Sequence, residues 1–173
     1  MVYARPTSHW APINAFNSVC SPMTSSTFDT SVHVVCGHCG GVNRIAPGRD
    51  AMKARCAKCQ TTLFGGKPWP ATRQIFERQI ARSDIPVVVD FWADCCGPCK
   101  VMAPEFERLA QEVEPRLRLL KLDTEAEPDV SARYGIRSIP TTIIFRQGQE
   151  IARRAGAMDR TALKAWLAAM QAI

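Results

Sequence analysis

The segment VVVDFWADCCGPCK, residues 87–100, joins an almost continuous apolar run to a tight cluster of cysteines. Such a run is typical of a central strand that is covered on both faces. The cluster consists of Cys95, Cys96 and Cys99. Gly97 and Pro98 suit the start of a helix, because proline already has the φ angle of a first helical residue. The segment therefore predicts a buried strand followed directly by a helix that begins at a CxxC pair.

A CxxC pair between a strand and a helix is the sequence form of a dithiol/disulfide couple. The unpaired N–H groups and the dipole of the first helical turn stabilise a thiolate, so we expect Cys96 to be an exposed nucleophile of low pKa. Gly97 and Pro98 keep the loop tight and hold Cys99 close enough to resolve a mixed disulfide on Cys96. Lys100 adds a positive charge beside the couple.

The hydrophobic pattern outside this segment predicts the element order α-β-α-β-α-β-β-α, after a linker at Gly65–Pro70. The elements are a helix capped by Thr72 and ending near Arg82, a strand at Pro86–Ala93, the CxxC helix to Val113 with a kink at Pro104, a strand at Leu117–Asp123, a helix at Pro128–Gly135, a hairpin at Thr141–Arg154 and a helix at Asp159–Ala172. This order requires a mixed sheet with helices on both faces.

A second motif consists of two CxxC pairs separated by sixteen residues, namely Cys36, Cys39, Cys56 and Cys59. Two tight knuckles at this spacing can place four sulfurs at the corners of a tetrahedron around Zn²⁺. A unit this short buries too little apolar surface to fold without such a ligand. The motif therefore predicts one zinc ion per chain, structural or redox-sensing, and no organic cofactor is expected.

The tetrapeptide Cys36-Gly-His-Cys39 has a second interpretation, since it is also the active-site sequence of protein disulfide isomerases. In that case Cys36 and His38 would be catalytic. Such chemistry needs a helix after the motif, and residues 40–43 (GGVN) are a poor helix start. Zinc binding is favoured, and a second redox pair stays open as the alternative.

The net charge of +6 is concentrated in residues 36–69, which hold six Lys or Arg against one Asp. Four thiolates around one Zn²⁺ would add two negative charges to the same segment. We therefore interpret its basic residues as counter-charge to the cysteines, and nucleic-acid binding is not expected. These residues are Arg44, Arg49, Lys53, Arg55 and Lys58.

No apolar run reaches the length of about 18 residues that a membrane-spanning helix needs. Residues 1–31 lack the apolar centre of a secretory signal, and we expect them to be a disordered tail in which Cys20 is incidental. Without export, the eight cysteines favour metal binding and redox chemistry in the cytoplasm over a disulfide framework. The predicted domains are the tail, a zinc-binding unit at 32–66 and a redox domain at 67–173.

VVVDFWADCCGPCK followed by KLDTEAEPDVSARYGIRSIPTTIIFRQGQE resembles the thioredoxin family from about Pro68 to Ile173. The two preceding knuckles make the chain similar to the zinc-containing bacterial class of this family, thioredoxin 2. The resemblance implies a thioredoxin fold preceded by a small zinc-ribbon-like unit. It also implies a redox-active disulfide, a part in electron transport, and thioredoxin reductase and disulfide-containing proteins as partners.

The resemblance assigns further site residues. Asp90 matches a buried carboxylate that can accept the proton of Cys99 through water, and Lys121 matches a lysine near that carboxylate. Trp92 matches an aromatic residue beside the disulfide. The substrate-binding residues implied are Trp92, Gly97, Pro98, Ile139, Pro140 and Gly156. Ile139–Pro140 matches a cis-proline bond whose backbone edge pairs with a bound peptide, and Gly156 allows close approach of that peptide.

Cys95 departs from the family pattern, which has Trp immediately before the nucleophile. A disulfide between the adjacent Cys95 and Cys96 would be strained, so we expect the couple to remain Cys96/Cys99. Cys95 is either a tolerated surface thiol or a redox handle, for example a site of glutathionylation.

Three functions are compatible with the sequence. The favoured one is a cytoplasmic protein-disulfide reductase. The alternatives are a disulfide oxidase or isomerase on the same fold, and a zinc-knuckle binding module whose second domain is a scaffold.

Overall fold

An antiparallel hairpin opens the part of the chain that the computed structural model describes, residues 26–173. Its strands are β1 (Val32–Val35) and β2 (Val42–Ile45), and a short 3₁₀ helix follows at Ala51–Lys53. Val34, Ile45, Leu63 and Phe64 form a small core with the cysteines of the two CxxC pairs. We call residues 32–66 the knuckle unit.

A mixed five-stranded sheet in the order β3-β5-β4-β6-β7 forms the remainder of the described fold. β3 and β4 run parallel to β5, whereas β6 runs antiparallel to both β4 and β7. The strands are β3 (Trp69–Pro70), β4 (Val87–Trp92), β5 (Arg118–Asp123), β6 (Thr141–Arg146) and β7 (Gln149–Ala155).

Four α-helices cover the two faces of this sheet. They are α1 (Arg73–Arg82), α2 (Gly97–Val113), α3 (Pro128–Arg133) and α4 (Arg160–Ala169). The apolar residues of α2 and α4 pack with Val88 of β4, and those of α1 and α3 pack with Val89 and Phe91. Because side chains alternate along a strand, Asp90 lies on the α2 face with Val88.

The predicted mixed sheet with helices on both faces is confirmed, and the prediction misses one strand. β3 lies in the segment that was interpreted as a linker, and its Trp69 pairs with Leu120. Two residues are too few to show a hydrophobic period, and Pro70 has no N–H to donate, which limits it to the edge of a sheet. Pro104 lies inside α2, which is assigned as one helix. Among the described helices, none has the length and hydrophobicity to cross a membrane.

Residues 26–31 contact the knuckle unit, although they belong to the predicted tail. The carbonyls of Ser26 and Phe28 accept hydrogen bonds from Ala51 and Gly48, and Phe28 packs against the small core. The rest of the predicted tail, with Cys20, lies outside the described residues.

The knuckle unit is docked on α1 through buried polar contacts. Gln79 donates from Nε2 to the Val35 carbonyl at 3.1 Å, and the Val35 N–H donates to Ser83 Oγ at 3.3 Å. Ser83 Oγ in turn donates to Gln79 Oε1 at 3.2 Å. This closed set satisfies polar groups that would otherwise be buried without partners.

A second docking contact lies at the C-terminal end of α2. Glu114 Oε2 accepts from the N–H groups of Gly65 and Gly66 at 3.0 and 2.7 Å. Its other oxygen pairs at 3.1 Å with Arg118, and both side chains are fully buried. The Arg118 guanidinium also lies over the Phe64 ring, 4.6 Å from the ring centroid. Burial lowers the pKa of Arg118, and Glu114 opposes that shift.

Candidate active site and metal centre

Cys96 and Cys99 form a disulfide where β4 gives way to α2, with Cα atoms 5.3 Å apart. Cys96 is the N-cap of α2, and its Sγ accepts the Cys99 N–H at 3.1 Å. Pro98 lies in the first turn, as its fixed φ angle favours. An N-cap sulfur faces the unpaired N–H groups of the helix, which stabilise a negative charge there.

Cys96 and Cys99 differ in solvent accessibility, but the difference is smaller than the sequence predicted. Cys96 keeps 8% of its surface exposed and Cys99 keeps 2%. Cys96 is thus the more accessible residue, but the prediction that it is exposed is wrong, since Cys96 is buried at the N-cap of α2 and joined to the buried Cys99. Lys100 is exposed and lies 3.9 Å from Asp94 in a surface ion pair.

Asp90 is buried in β4, the strand that leads to this site, and has no hydrogen-bond partner among the described residues. It is 1% exposed, and neither carboxylate oxygen has a partner within residues 26–173. Thr142, opposite Asp90 on β6, also has an unpartnered hydroxyl. Burial raises the pKa of Asp90 to about 7, and Lys121 opposes this shift. A carboxyl with a pKa near neutrality can take up and release protons at physiological pH.

Lys121 and Trp92 complete this group of residues. Lys121 is the direct neighbour of Asp90 in the β4–β5 pair, and its Nζ lies 4.5 Å from the centroid of the Trp92 ring. The ammonium therefore has a cation–π contact on one side and a nearby carboxyl whose ionised form it favours.

Pro140 and Gly156 meet at the ends of neighbouring strands. The Ile139–Pro140 bond is cis, and the Gly156 N–H donates to the Pro140 carbonyl at 2.8 Å. Gly156 has a φ of +94°, and no atom of the described chain lies within 4 Å of where a Cβ would project. The space above this glycine is therefore open.

Cys95 is exposed and directed toward an acidic side chain that the sequence did not bring to attention. Its Sγ lies 3.4 Å from Glu125 Oε1 and donates to it. This hydrogen bond and the charge of Glu125 raise the pKa of Cys95. A raised pKa leaves a smaller fraction of Cys95 as thiolate near neutral pH.

The four cysteines of the two CxxC pairs converge in the knuckle unit. Their sulfurs all lie within 4.8 Å of one another, with Cys36 to Cys59 at 3.7 Å and Cys39 to Cys56 at 3.6 Å. Tetrahedral zinc with Zn–S bonds of about 2.3 Å requires sulfurs roughly 3.8 Å apart. The arrangement can hold a metal ion and fits a tetrathiolate site.

The two knuckles repeat one backbone pattern. In each, the N–H of the first cysteine donates to the carbonyl five residues later: Cys36 to Gly41, and Cys56 to Thr61. The residue after the second cysteine, Gly40 or Gln60, has a positive φ and donates its N–H back to the carbonyl of the first cysteine. This match between the knuckles supports one shared ligand better than two independent pairs.

Two polar side chains support the sulfurs, and sequence reasoning missed both. Asn43 Nδ2 donates to Cys56 Sγ at 3.6 Å, and Thr61 Oγ1 lies 3.4 Å from Cys59 Sγ. The Thr61 contact, first among several causes, lowers the pKa of Cys59 to about 5, whereas burial raises that of Cys36 to about 12. Hydrogen bonds to coordinating sulfurs are common in the outer shell of metal sites.

The alternative of a second redox pair at Cys36 and Cys39 lacks its structural context. A strand precedes the pair, but the chain then turns at Gly40 and enters β2 without forming a helix. No helix N-terminus is therefore available to stabilise a thiolate on Cys36.

The part of the chain that carries Cys96 and Cys99 is similar to known proteins. The thioredoxin family model matches residues 67–169. Thioredoxin C-3 of Corynebacterium nephridii is 40% identical over 134 residues, covering 78% of this chain and 92% of that protein. Thioredoxin 1 of Nostoc sp. is 44% identical over 92 residues, covering 53% of this chain and 86% of that protein.

A solved structure, that of chloroplastic thioredoxin z, is also similar to the chain. It has a TM-score of 0.57 and 28% identity, and the match covers 62% of this chain and 96% of that one. The alignment with the Corynebacterium protein is longer than the segment from residue 67 to the end of the chain, so the similarity extends into the knuckle unit.

Proposed function

The chain belongs to the thioredoxin family of thiol–disulfide oxidoreductases, and we propose that it reduces disulfides of cytoplasmic proteins with Cys96 as the nucleophile. Protein-disulfide reductase activity follows from the family. The disulfide between Cys96 and Cys99 at the start of α2 carries the assignment of the couple.

The reaction has two steps of thiol–disulfide exchange. In the first, the Cys96 thiolate attacks a substrate disulfide, a mixed disulfide forms, and one substrate sulfur leaves as a thiolate. In the second, Cys99 loses its proton and attacks the Cys96 sulfur. The second substrate sulfur then leaves, and the Cys96–Cys99 disulfide remains with two electrons transferred to the substrate. We propose that a thioredoxin reductase returns these two electrons.

Asp90 is proposed to accept the proton of Cys99 in the second step. Three observations support this role: the residue lies on the α2 face, its oxygens have no hydrogen-bond partner among the described residues, and burial raises its pKa to about 7. Lys121 tunes this pKa downward through its charge. The acceptor would work through a water molecule, which the two unpartnered oxygens could bind.

Substrate binding is proposed along the open backbone near Pro140 and Gly156. Ile139 is half-buried at the start of this segment, and its backbone edge would pair with an extended substrate as a short strand. Gly97, Pro98 and Trp92 would border the same substrate beside the disulfide.

Zinc is proposed for the knuckle unit, held by Cys36, Cys39, Cys56 and Cys59, and it would place the chain in the thioredoxin 2 class. When bound, the ion would fix the two knuckles by its four bonds, a structural contribution to folding. Oxidation of the same thiolates would release it, which would allow a redox-sensing role.

The test is the reduction of insulin disulfides by the wild type, Cys96→Ser and Cys99→Ser under the same electron donor. We expect no turnover from either variant, and a trapped mixed disulfide on Cys96 in Cys99→Ser only. Mass spectrometry of the trapped species identifies the sulfur. Capture of the substrate on Cys99 in the Cys96→Ser variant would reverse the assignment, full turnover by Cys96→Ser would exclude Cys96 as the nucleophile, and absence of turnover already in the wild type would favour a binding module.

A further inference from the structure

A basic groove with a volume of about 730 Å³ lies on the knuckle unit, and no residue of the redox site lines it. Its rim carries four exposed cationic side chains, those of Arg44, Arg49, Lys53 and Arg55. The sequence suggested that they are counter-charge to the cysteines. Yet none of the four cysteines lines the groove, and no hydrogen bond joins these cations to a sulfur among the described residues.

The cations of the groove exceed its acidic groups. Asp50 is the one carboxylate in the lining, and it already accepts the Met52 N–H at 3.1 Å and pairs with Lys53 at 3.4 Å. Arg55 donates to the Gln60 carbonyl, but Arg44 and Arg49 have no side-chain partner within residues 26–173. The groove therefore has guanidinium groups available for a carboxylate or phosphate.

The floor of the groove includes the free edge of a strand. The outward backbone groups of β1 at His33 and Val35 are bonded to Asp84, Ser83 and Gln79, so the redox domain covers that edge. In an antiparallel pair, residues alternate between facing the partner strand and facing outward. Val42 and Arg44 lie opposite Val35 and His33, so their N–H and C=O groups face the outer edge of β2. No other described strand pairs there.

The chemistry of the lining decides between possible occupants. The lining also includes Val42, which is exposed, and the buried Ile45 and Leu63, and no aromatic residue lines the groove. Single-stranded nucleic acid needs aromatic surfaces on which its bases can stack, so a protein segment fits better. Residues 1–25 of this chain contain no Asp or Glu, which leaves them without charge complementarity to the rim.

We propose that this groove binds an acidic, extended segment of a partner protein, which adds to β2 as a third strand and places carboxylates on Arg44 and Arg49. Backbone pairing gives affinity in this binding mode, and the side chains select the sequence. The proposal does not depend on the chemistry of Cys96.

The test is fluorescence anisotropy of a labelled peptide of alternating Glu and Val with the full, reduced chain. We expect binding that weakens as the salt concentration rises from about 0.05 to about 0.3 M, because the Debye length shortens. The variant Arg44→Glu/Arg49→Glu should weaken it by about tenfold or more. Arg82→Glu is the matched control, since Arg82 is exposed at the end of α1 and does not line the groove. Insulin reduction should be unchanged in both variants.

Backbone methylation of the peptide tests strand addition separately from charge. Only every second residue of an added strand bonds to its neighbour. N-methyl groups in one alternating register should therefore abolish binding, and those in the other register should be tolerated. Equal affinity in both registers, an equal loss in Arg82→Glu, or tighter binding of an oligothymidine than of the acidic peptide would each overturn the proposal.

Discussion

Lys121 is the direct cross-strand neighbour of Asp90, and it is the one charge that opposes the upward shift of the Asp90 pKa. Asp90 lies on β4 and Lys121 on β5, and the pairing of these strands fixes the position of the two backbones. The charge of Asp90 changes with pH near neutrality.

Asp90→Asn is expected to stabilise the folded protein increasingly as the pH rises. The folded pKa of about 7 exceeds the unfolded value of 3.8, so folding holds a proton between these values and the wild type loses stability as the pH rises through this window. At 1.36 kcal/mol per pKa unit, the full effect is on the order of 4 kcal/mol. Urea unfolding of the oxidised proteins from about pH 5 to 8 measures the part of this effect above pH 5, which is roughly 3 kcal/mol over two pKa units. A stability difference that is constant over this range would contradict the assignment.

Lys121→Met is expected to move the pH dependence of the reaction upward. Removal of the ammonium leaves the burial of Asp90 unopposed, so its pKa rises and the carboxylate forms only at higher pH. The measurement is the rate of single-turnover insulin reduction against pH, whose inflection should lie near 7 in the wild type. Lys121→Arg keeps the charge and serves as the control. An unmoved inflection in Lys121→Met would exclude electrostatic tuning by this residue.

Glu125→Gln is expected to make Cys95 more reactive. The variant removes the acceptor and the negative charge that raise the pKa of Cys95, so a larger fraction becomes thiolate near neutral pH. The rate of Cys95 alkylation by iodoacetamide is measured in the oxidised protein, in which Cys96 and Cys99 are blocked. Glu127→Gln is a nearby control, and equal rates in all three proteins would show that Glu125 does not restrain this thiol.

The redox-handle role of Cys95 remains a prediction with its own comparison. If Cys95 participates, Cys95→Ser should keep Cys96/Cys99 turnover but lose recovery from glutathione adducts. If it is a bystander, Cys95→Trp should leave insulin reduction unchanged or faster. Mass spectrometry of the adducts in the wild type and both variants distinguishes the two, since a bystander carries no adduct.

Glu114→Ala is expected to destabilise the protein by about 3–5 kcal/mol, because Arg118 would remain buried without a counter-charge. The N–H groups of Gly65 and Gly66 would also lose their acceptor. The double variant Glu114→Leu/Arg118→Met removes both charges and should cost less than Glu114→Ala. Urea unfolding measures all three proteins, and a double variant that is the least stable of them would contradict an ion-pair role.

Cys36→Ser is expected to abolish tight zinc binding and to leave insulin reduction measurable. Three thiolates and a hydroxyl bind Zn²⁺ much more weakly than four thiolates. Metal content per chain is measured on reduced protein by mass spectrometry or atomic absorption. Ala57→Ser, exposed beside Cys56, controls for the added hydroxyl. Reduced wild-type protein that takes up no zinc would refute the metal site.

The sequence predicts the parts of the fold that rest on local patterns. β4 is identified by its continuous apolar run and α2 by the CxxC pair with Pro98, whereas the role of Asp90 is implied by the resemblance to the thioredoxin family. β3 has no such pattern, because its pairing depends on Leu120, which is 51 positions from Trp69.

Long-range contacts also explain the missed site residues. Glu125 meets Cys95 across thirty residues, and Asn43 reaches Cys56 across thirteen. In the sequence, Glu114 and Arg118 are four residues apart, which is typical of an ion pair on the surface of a helix. No neighbouring residue indicates that the knuckle unit covers them.

α2 begins after Cys96 and ends before Glu114, the residue that accepts from Gly65 and Gly66. This single helix of roughly 25 Å therefore connects the Cys96–Cys99 disulfide with the surface on which the knuckle unit docks. The knuckle unit is consequently not a detachable accessory. A chain that begins at residue 67 would expose Arg118, which Phe64 contacts in the full chain. It would also leave Glu114 without the backbone N–H donors of Gly65 and Gly66. Engineering that transplants this redox domain therefore has to carry the knuckle unit with it or redesign the surface beneath it.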